Sequence, residues 1–145
     1  MTKFATLFLI FILSLSGWAQ TQSLQIKITN IKELKGTLHV GIYSIPENFP
    51  KENKEFKKLV FKVTNEEMVK QVKIPKGKYA ISVYHDKNSD NICNQNKLKI
   101  PLEAFGFSNN VIPFFAVPTF GQCAFKIEEA SKMVSIRLIQ PIAKQ

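Results

Sequence analysis

Arginine is nearly missing from this chain: Arg137 is the only one among 20 basic residues, the rest being lysine. Nucleic-acid sites favour arginine forks gathered into a stripe. Here lysines lie scattered among glutamates, as in "KENKEFKK", so the net charge of +9 reads as a solvated surface and not as a nucleic-acid face. Histidine is scarce too, with His39 and His85 only, and no His-x-x-x-His pair frames a zinc site. Two cysteines in 145 residues exclude a disulfide-rich scaffold. Beyond the first residues no apolar run approaches the ~20 needed to span a bilayer.

What is present begins with "MTKFATLFLIFILSLSGWAQ". Lys3, an apolar run from Phe4 to Leu15 and the small residues Gly17 and Ala19 form a secretory signal over 1–19. The expectation is export with cleavage near Ala19, to the periplasm or the medium. Residues 20–145 are then one domain's length of chain.

Hydrophobic period sets the fold class. "LQIKITNI" places Leu24, Ile26 and Ile28 on one face, and "GTLHVGIY" does so with Leu38, Val40 and Ile42. "KLVFKVT", "MVKQVKI", "YAISVYH", "CAFKIE" and "MVSIRLI" repeat the alternation. About seven short strands in one exported domain predict an all-β fold, an antiparallel β-sandwich. Ile26, Ile28, Leu38, Val40, Ile42, Tyr79, Ile81, Val83, Ile136 and Leu138 are its expected core. The one helical candidate is "PENFPKENKEFKK", where Phe49 and Phe56 could pin a short amphipathic turn over the open end. "IPKGKY" predicts a hairpin turned by Pro75 and a positive φ at Gly77. Its Pro-x-Gly-x-Tyr turn resembles the hairpin of prealbumin-like and carboxypeptidase-regulatory-like sandwiches.

Behind "YAISVYH" comes "HDKNSDNICNQN", with two aspartates and four asparagines in a dozen residues. Asp86, Asn88 and Asp90 stand two apart, Asn91 occupies a sharply turning place, Ile92 offers a carbonyl and Asn94 follows two residues on. Calcium takes roughly six to eight oxygens, and such a ladder matches the first half of a calcium loop. Lys97 stands where the closing glutamate belongs, and Lys87 adds positive charge, so the expected affinity is weak, ~10⁻⁴ to 10⁻³ M or weaker. The other reading is an Asx turn whose side chains bond their own backbone. His85 reads as a partly buried structural histidine, because calcium prefers oxygen.

From Asp86 to Gln122 strand alternation is hardly visible, although Phe105, Phe107, Phe114, Phe115 and Phe120 fall there. A long Asn-, Pro- and Phe-rich loop of this kind is a lid closing one end or face of the domain, an aromatic ligand groove, or both together. For the groove, the candidate ligand-binding residues are Glu103, Phe105, Phe107, Ser108, Asn109 and Asn110. Cys93 and Cys123 allow one disulfide contributing about 3 to 4 kcal/mol if unstrained, or remain two free thiols.

The stretch "GKYAISVYHDKNSDNICNQNKLKIPLEAFGFSNN" followed by "VPTFGQCAF" resembles exported bacterial proteins catalogued as domain of unknown function 2141. Gly77, Tyr79, His85, Asp86, Ile100, Pro101, Glu103, Gly106, Phe107, Ser108, Asn109, Asn110, Pro118 and Phe120 carry the resemblance. It implies a secreted β-sandwich and no particular activity. Against the family pattern, Lys87 replaces an acidic residue, Asn91 stands where glycine often is, and Asn94 where aspartate often is. The family's loop has lost charge here. His85, Asp86, Glu103 and Ser108 supply hydrolase residue types, but no nucleophile elbow frames them. The expectation is therefore a non-catalytic exported domain binding a ligand or an envelope component. The alternatives are a purely structural domain with a calcium-stabilised or disulfide-stapled loop and, remotely, a hydrolase.

Overall fold

The computed structural model describes residues 20–141. The expected signal segment, 1–19, and the last residues, 142–145, lie outside the described part. Eight strands follow in order: β1 Thr21–Thr29, β2 Thr37–Tyr43, β3 Lys57–Lys62, β4 Met68–Pro75, β5 Gly77–Asp86, β6 Phe105–Phe107, β7 Phe125–Ile127 and β8 Ser131–Arg137. One helical turn, α1, covers Phe120–Cys123. The protein is mostly β, in two sheets: a three-stranded one ordered β4-β1-β8, and a five-stranded one ordered β3-β2-β5-β6 with β7 also on β5.

Alternation does the work of folding. In β1 every second residue is buried, and Leu24, Ile26 and Ile28 meet Leu38, Val40, Ile42, Ile81 and Val83 of the other sheet in one apolar cluster. All ten expected core residues are buried in it. A fully buried aliphatic side chain contributes about 1.5–3 kcal/mol, so this shared interior dominates stability.

A second cluster lies on the outer face of the five-stranded sheet. There Tyr43, Ala80, Phe107, Phe120 and Cys123 pack with Phe49, whose ring meets those of Tyr43, Phe107 and Phe120 edge-on at 5.2, 6.0 and 6.2 Å. Both faces of β2 and β5 are thereby covered.

Four expectations need correction. First, the strands are not all antiparallel: β1 and β8 pair in parallel. The chain reaches β8 from β7, which belongs to the other sheet, so a crossover and not a hairpin sets its direction. Second, Pro75–Gly77 is no hairpin, since β4 pairs with β1 and β5 with β2. The corner passes the chain between sheets, and Gly36 is the only glycine with positive φ among the described residues. Third, the helical candidate reduces to a 3₁₀ turn at Pro46–Asn48, with Phe49 buried and Phe56 exposed. Fourth, the stretch after Asp86 holds β6, a 3₁₀ turn at Ser108–Asn110 and α1. Three residues of β6 are too few to show alternation. Gly106 lets this strand press on β8, because a Cβ there would come within 2.8 Å of Ile136 Cγ2.

Candidate functional site

β5 ends by delivering His85 and Asp86 to the rim of the sheet, where β2 brings Thr37 and His39 alongside. His85 is buried, and its Nε2 lies 2.7 Å from the Lys35 carbonyl. It ties the β1–β2 connection to β5. Gly36 sits in that connection at φ +71°, and a Cβ there would strike the Asp86 carbonyl.

Asp86 is fully buried. Its Oδ1 accepts from Asp90 N at 3.2 Å and its Oδ2 from Asn91 N at 2.7 Å, while His39 Nε2 stands 3.5 Å from Oδ2. His39 also meets the Thr37 hydroxyl at 3.1 Å and stacks on Tyr84 at 4.6 Å. Its Nδ1 is buried without a hydrogen-bond partner. Burial pushes the His39 pKa below the ordinary imidazole value, although Asp86 draws it the other way. A ring so placed is neutral at pH 7.

Glu103 closes the loop from its far end. Its Oε1 accepts from Lys87 N at 3.0 Å and its Oε2 from Asn94 N at 3.3 Å, and burial raises its pKa. Asp90 binds the middle: Oδ1 accepts from Ile92 N at 2.9 Å, and Oδ2 from the carboxamides of Asn88 at 2.7 Å and Asn94 at 2.9 Å. Asn91 takes the left-handed conformation, φ +63°, as its turning place requires. Lys87 points away from the loop, with Nζ 2.8 Å from Glu33 Oε1. Lys87, then Lys35, hold the Glu33 pKa down at about 2.

The expected cation ladder is thus gathered in space, but its oxygens converge on N–H groups. Asp86 Oδ1 and Asn88 Oδ1 both address Asp90 N, at 3.2 and 3.4 Å, and the Ile92 carbonyl meets the Asn94 carboxamide at 3.4 Å. Such bonding is that of an Asx turn. Among the described residues no cluster of His, Cys, Asp and Glu has metal-binding geometry.

The residues expected around a ligand are divided. Phe107 is buried in the outer cluster and Phe105 packs against it. Ser108 Oγ accepts from Ile81 N at 2.9 Å and donates to the Cys123 carbonyl at 2.6 Å. Asn109 donates to the carbonyls of Gln122 and Ala124, both at 3.0 Å. Asn110 accepts from Arg137 N at 2.7 Å. These side chains clip β5, α1 and β8 together. Cys93 and Cys123 are free thiols, so the bridge between them is absent, and burial raises both pKa values to about 11.

Sequence reasoning missed where the apolar surface lies. Among the described residues eight of fourteen exposed large apolar side chains fall between Ile92 and Val117. Phe114 and Phe115 are 85% and 94% exposed, edge-on to each other at 4.4 Å. The signal was present in the charge pattern, since between Glu103 and Lys126 no charged residue occurs.

A family model described as "Uncharacterized protein conserved in bacteria (DUF2141)" matches residues 26–135. No curated protein and no solved structure matches the chain.

Proposed function

The chain belongs to this bacterial family, DUF2141, and on that premise we propose that it is an exported, non-catalytic β-sandwich of prealbumin-like type that docks to an envelope component in the periplasm or outside the cell. The shared core of the two sheets supports the sandwich reading. The docking surface is formed by the exposed side chains between Ile92 and Val117. One observation carries this reading: the concentration there of exposed apolar side chains, which a monomeric exported protein rarely maintains without a contact to cover them.

Burial argues against chemistry. His85, Asp86, Glu103 and Ser108 are all buried, and each holds backbone groups of its own chain. They are assigned to structure. The Asx turn under Asp86 is likewise assigned to shaping the loop, with calcium at most a weak addition.

Photocrosslinking in exporting cells tests the docking. A photoreactive residue in place of Phe115 is expected to capture an envelope component, protein or lipid, that the same residue in place of Val60 on β3 does not. Equal capture at both positions, or none at Phe115, removes the assignment.

A further inference from the structure

We infer that the component met by this surface is the anionic face of a lipid bilayer, and that the hairpin tip Lys97–Ile100 is its anchor. The inference rests on the docking reading above and supplies the chemistry of the partner.

The tip is built, not slack. Gln95 and Pro101 bridge across its base, and Leu102 N donates to the Asn94 carbonyl at 2.8 Å. Asn96 closes the turn: its N donates to the Ile100 carbonyl and its carbonyl accepts from Lys99 N, both at 2.9 Å. Its side-chain oxygen accepts from Leu98 N at 2.9 Å and Ile100 N at 3.0 Å. With these backbone groups satisfied internally, the tip offers its partner side chains. Lys97, Leu98, Lys99 and Ile100 are all exposed, Leu98 by 79%.

An aliphatic side chain held out between two ammonium groups suits an interface that is apolar a few ångströms in and anionic at its surface. Headgroup phosphates take the lysines while their methylene stems and Leu98 enter the acyl boundary. Charge supports the match. Between Asp90 and Glu128 the only acidic residue is Glu103, which is buried with both oxygens bonded to the backbone. No exposed carboxylate on this stretch meets the headgroups, and the whole chain carries +9.

The test is co-sedimentation of the mature protein with vesicles of phosphatidylcholine alone or with about a third phosphatidylglycerol. Binding to the anionic vesicles only, weakened by added salt, is expected. Lys97→Glu with Lys99→Glu, and separately Leu98→Ser with Ile100→Ser, are each expected to lower the partition coefficient about tenfold or more without changing the melting temperature. Equal binding to both vesicle types, no binding, or variants that bind like the wild type overturn the inference. Crosslinks from position 115 to a protein, with no vesicle binding, overturn the lipid partner and leave the docking surface standing. Vesicle binding without any crosslink from position 115 removes the docking assignment, and with it the inference that this surface as a whole meets the bilayer.

Discussion

Asp86 and Asp90 are two residues of one type whose surroundings give them different weights. Asp86 is sealed from solvent and bonded to two N–H groups, so Asp86→Ala removes two charge-assisted hydrogen bonds that set the turn and is expected to cost about 1.5–3 kcal/mol. Asp90 is exposed, and Asp90→Ala is expected to cost about 1 kcal/mol or less. Urea unfolding followed by fluorescence separates the two. His39 gives this corner a pH dependence. Its native pKa is lowered from 6.5, so the unfolded chain takes up the proton more readily. Its stability contribution is complete above pH 6.5 and is lost as pH falls through the depressed native value. Glu103 acts in the opposite sense: its native pKa is raised from 4.5, so its contribution is complete below that value and is lost as pH rises through the raised one. The slope of the urea midpoint between about pH 7 and 5 is the sum of the two, and His39→Phe is expected to remove the part that falls with pH and leave the opposite drift of Glu103. An unchanged slope in the variant places the titration elsewhere.

At the scale of the element, the segment from Lys87 to Ala104 is closed on itself. Asp86 and Glu103 grip it at its two ends, and Asp90 ties its middle. A loop that has met its own N–H groups gains little from an added cation. Calcium at ~10 mM, enough to fill most of a millimolar site, is therefore expected to leave the melting temperature unchanged. A rise that vanishes in Asp86→Ala restores the cation reading. The cysteines belong to this scale as well. Cys123, the last residue of α1, is fully buried and Cys93 is half-buried in the loop. Mass spectrometry of the purified protein is expected to count two free thiols, with Cys123 alkylated only once the chain is unfolded.

The whole molecule joins two sheets through a core and covers one outer face with Phe49, Phe107 and Phe120. Phe114 and Phe115, in the same phenylalanine-rich stretch, remain outside. Part of the stretch thus forms the expected lid, while Phe114 and Phe115 stand exposed within a few residues of it. Substituting Phe114 and Phe115 by serine is expected to leave the melting temperature within about 1–2 °C of wild type, since neither ring is buried. Phe107→Ala removes a buried ring and is expected to cost about 3 kcal/mol or more. Equal losses would mean that the exposed pair packs in solution.

The sequence by itself determined the strands with sustained alternation, because a period of two on a half-buried surface leaves no second arrangement for Ile26, Ile28, Val40 or Ile42. It determined the gathering of Asp86, Asn88, Asp90 and Asn94 in one turn, since their spacing is local, and the left-handed place of Asn91. Only tertiary structure decided the rest. The parallel pairing of β1 with β8 joins segments more than a hundred residues apart, which no local pattern encodes. Glu103 became the far clamp of the loop, and Ser108, Asn109 and Asn110 became a clip, because their partners lie on β5, α1 and β8. The division of the phenylalanines was decided in the same way. A ring is hydrophobic wherever it stands, and the arrival of Phe49 from the other end of the sheet determines which rings it can cover.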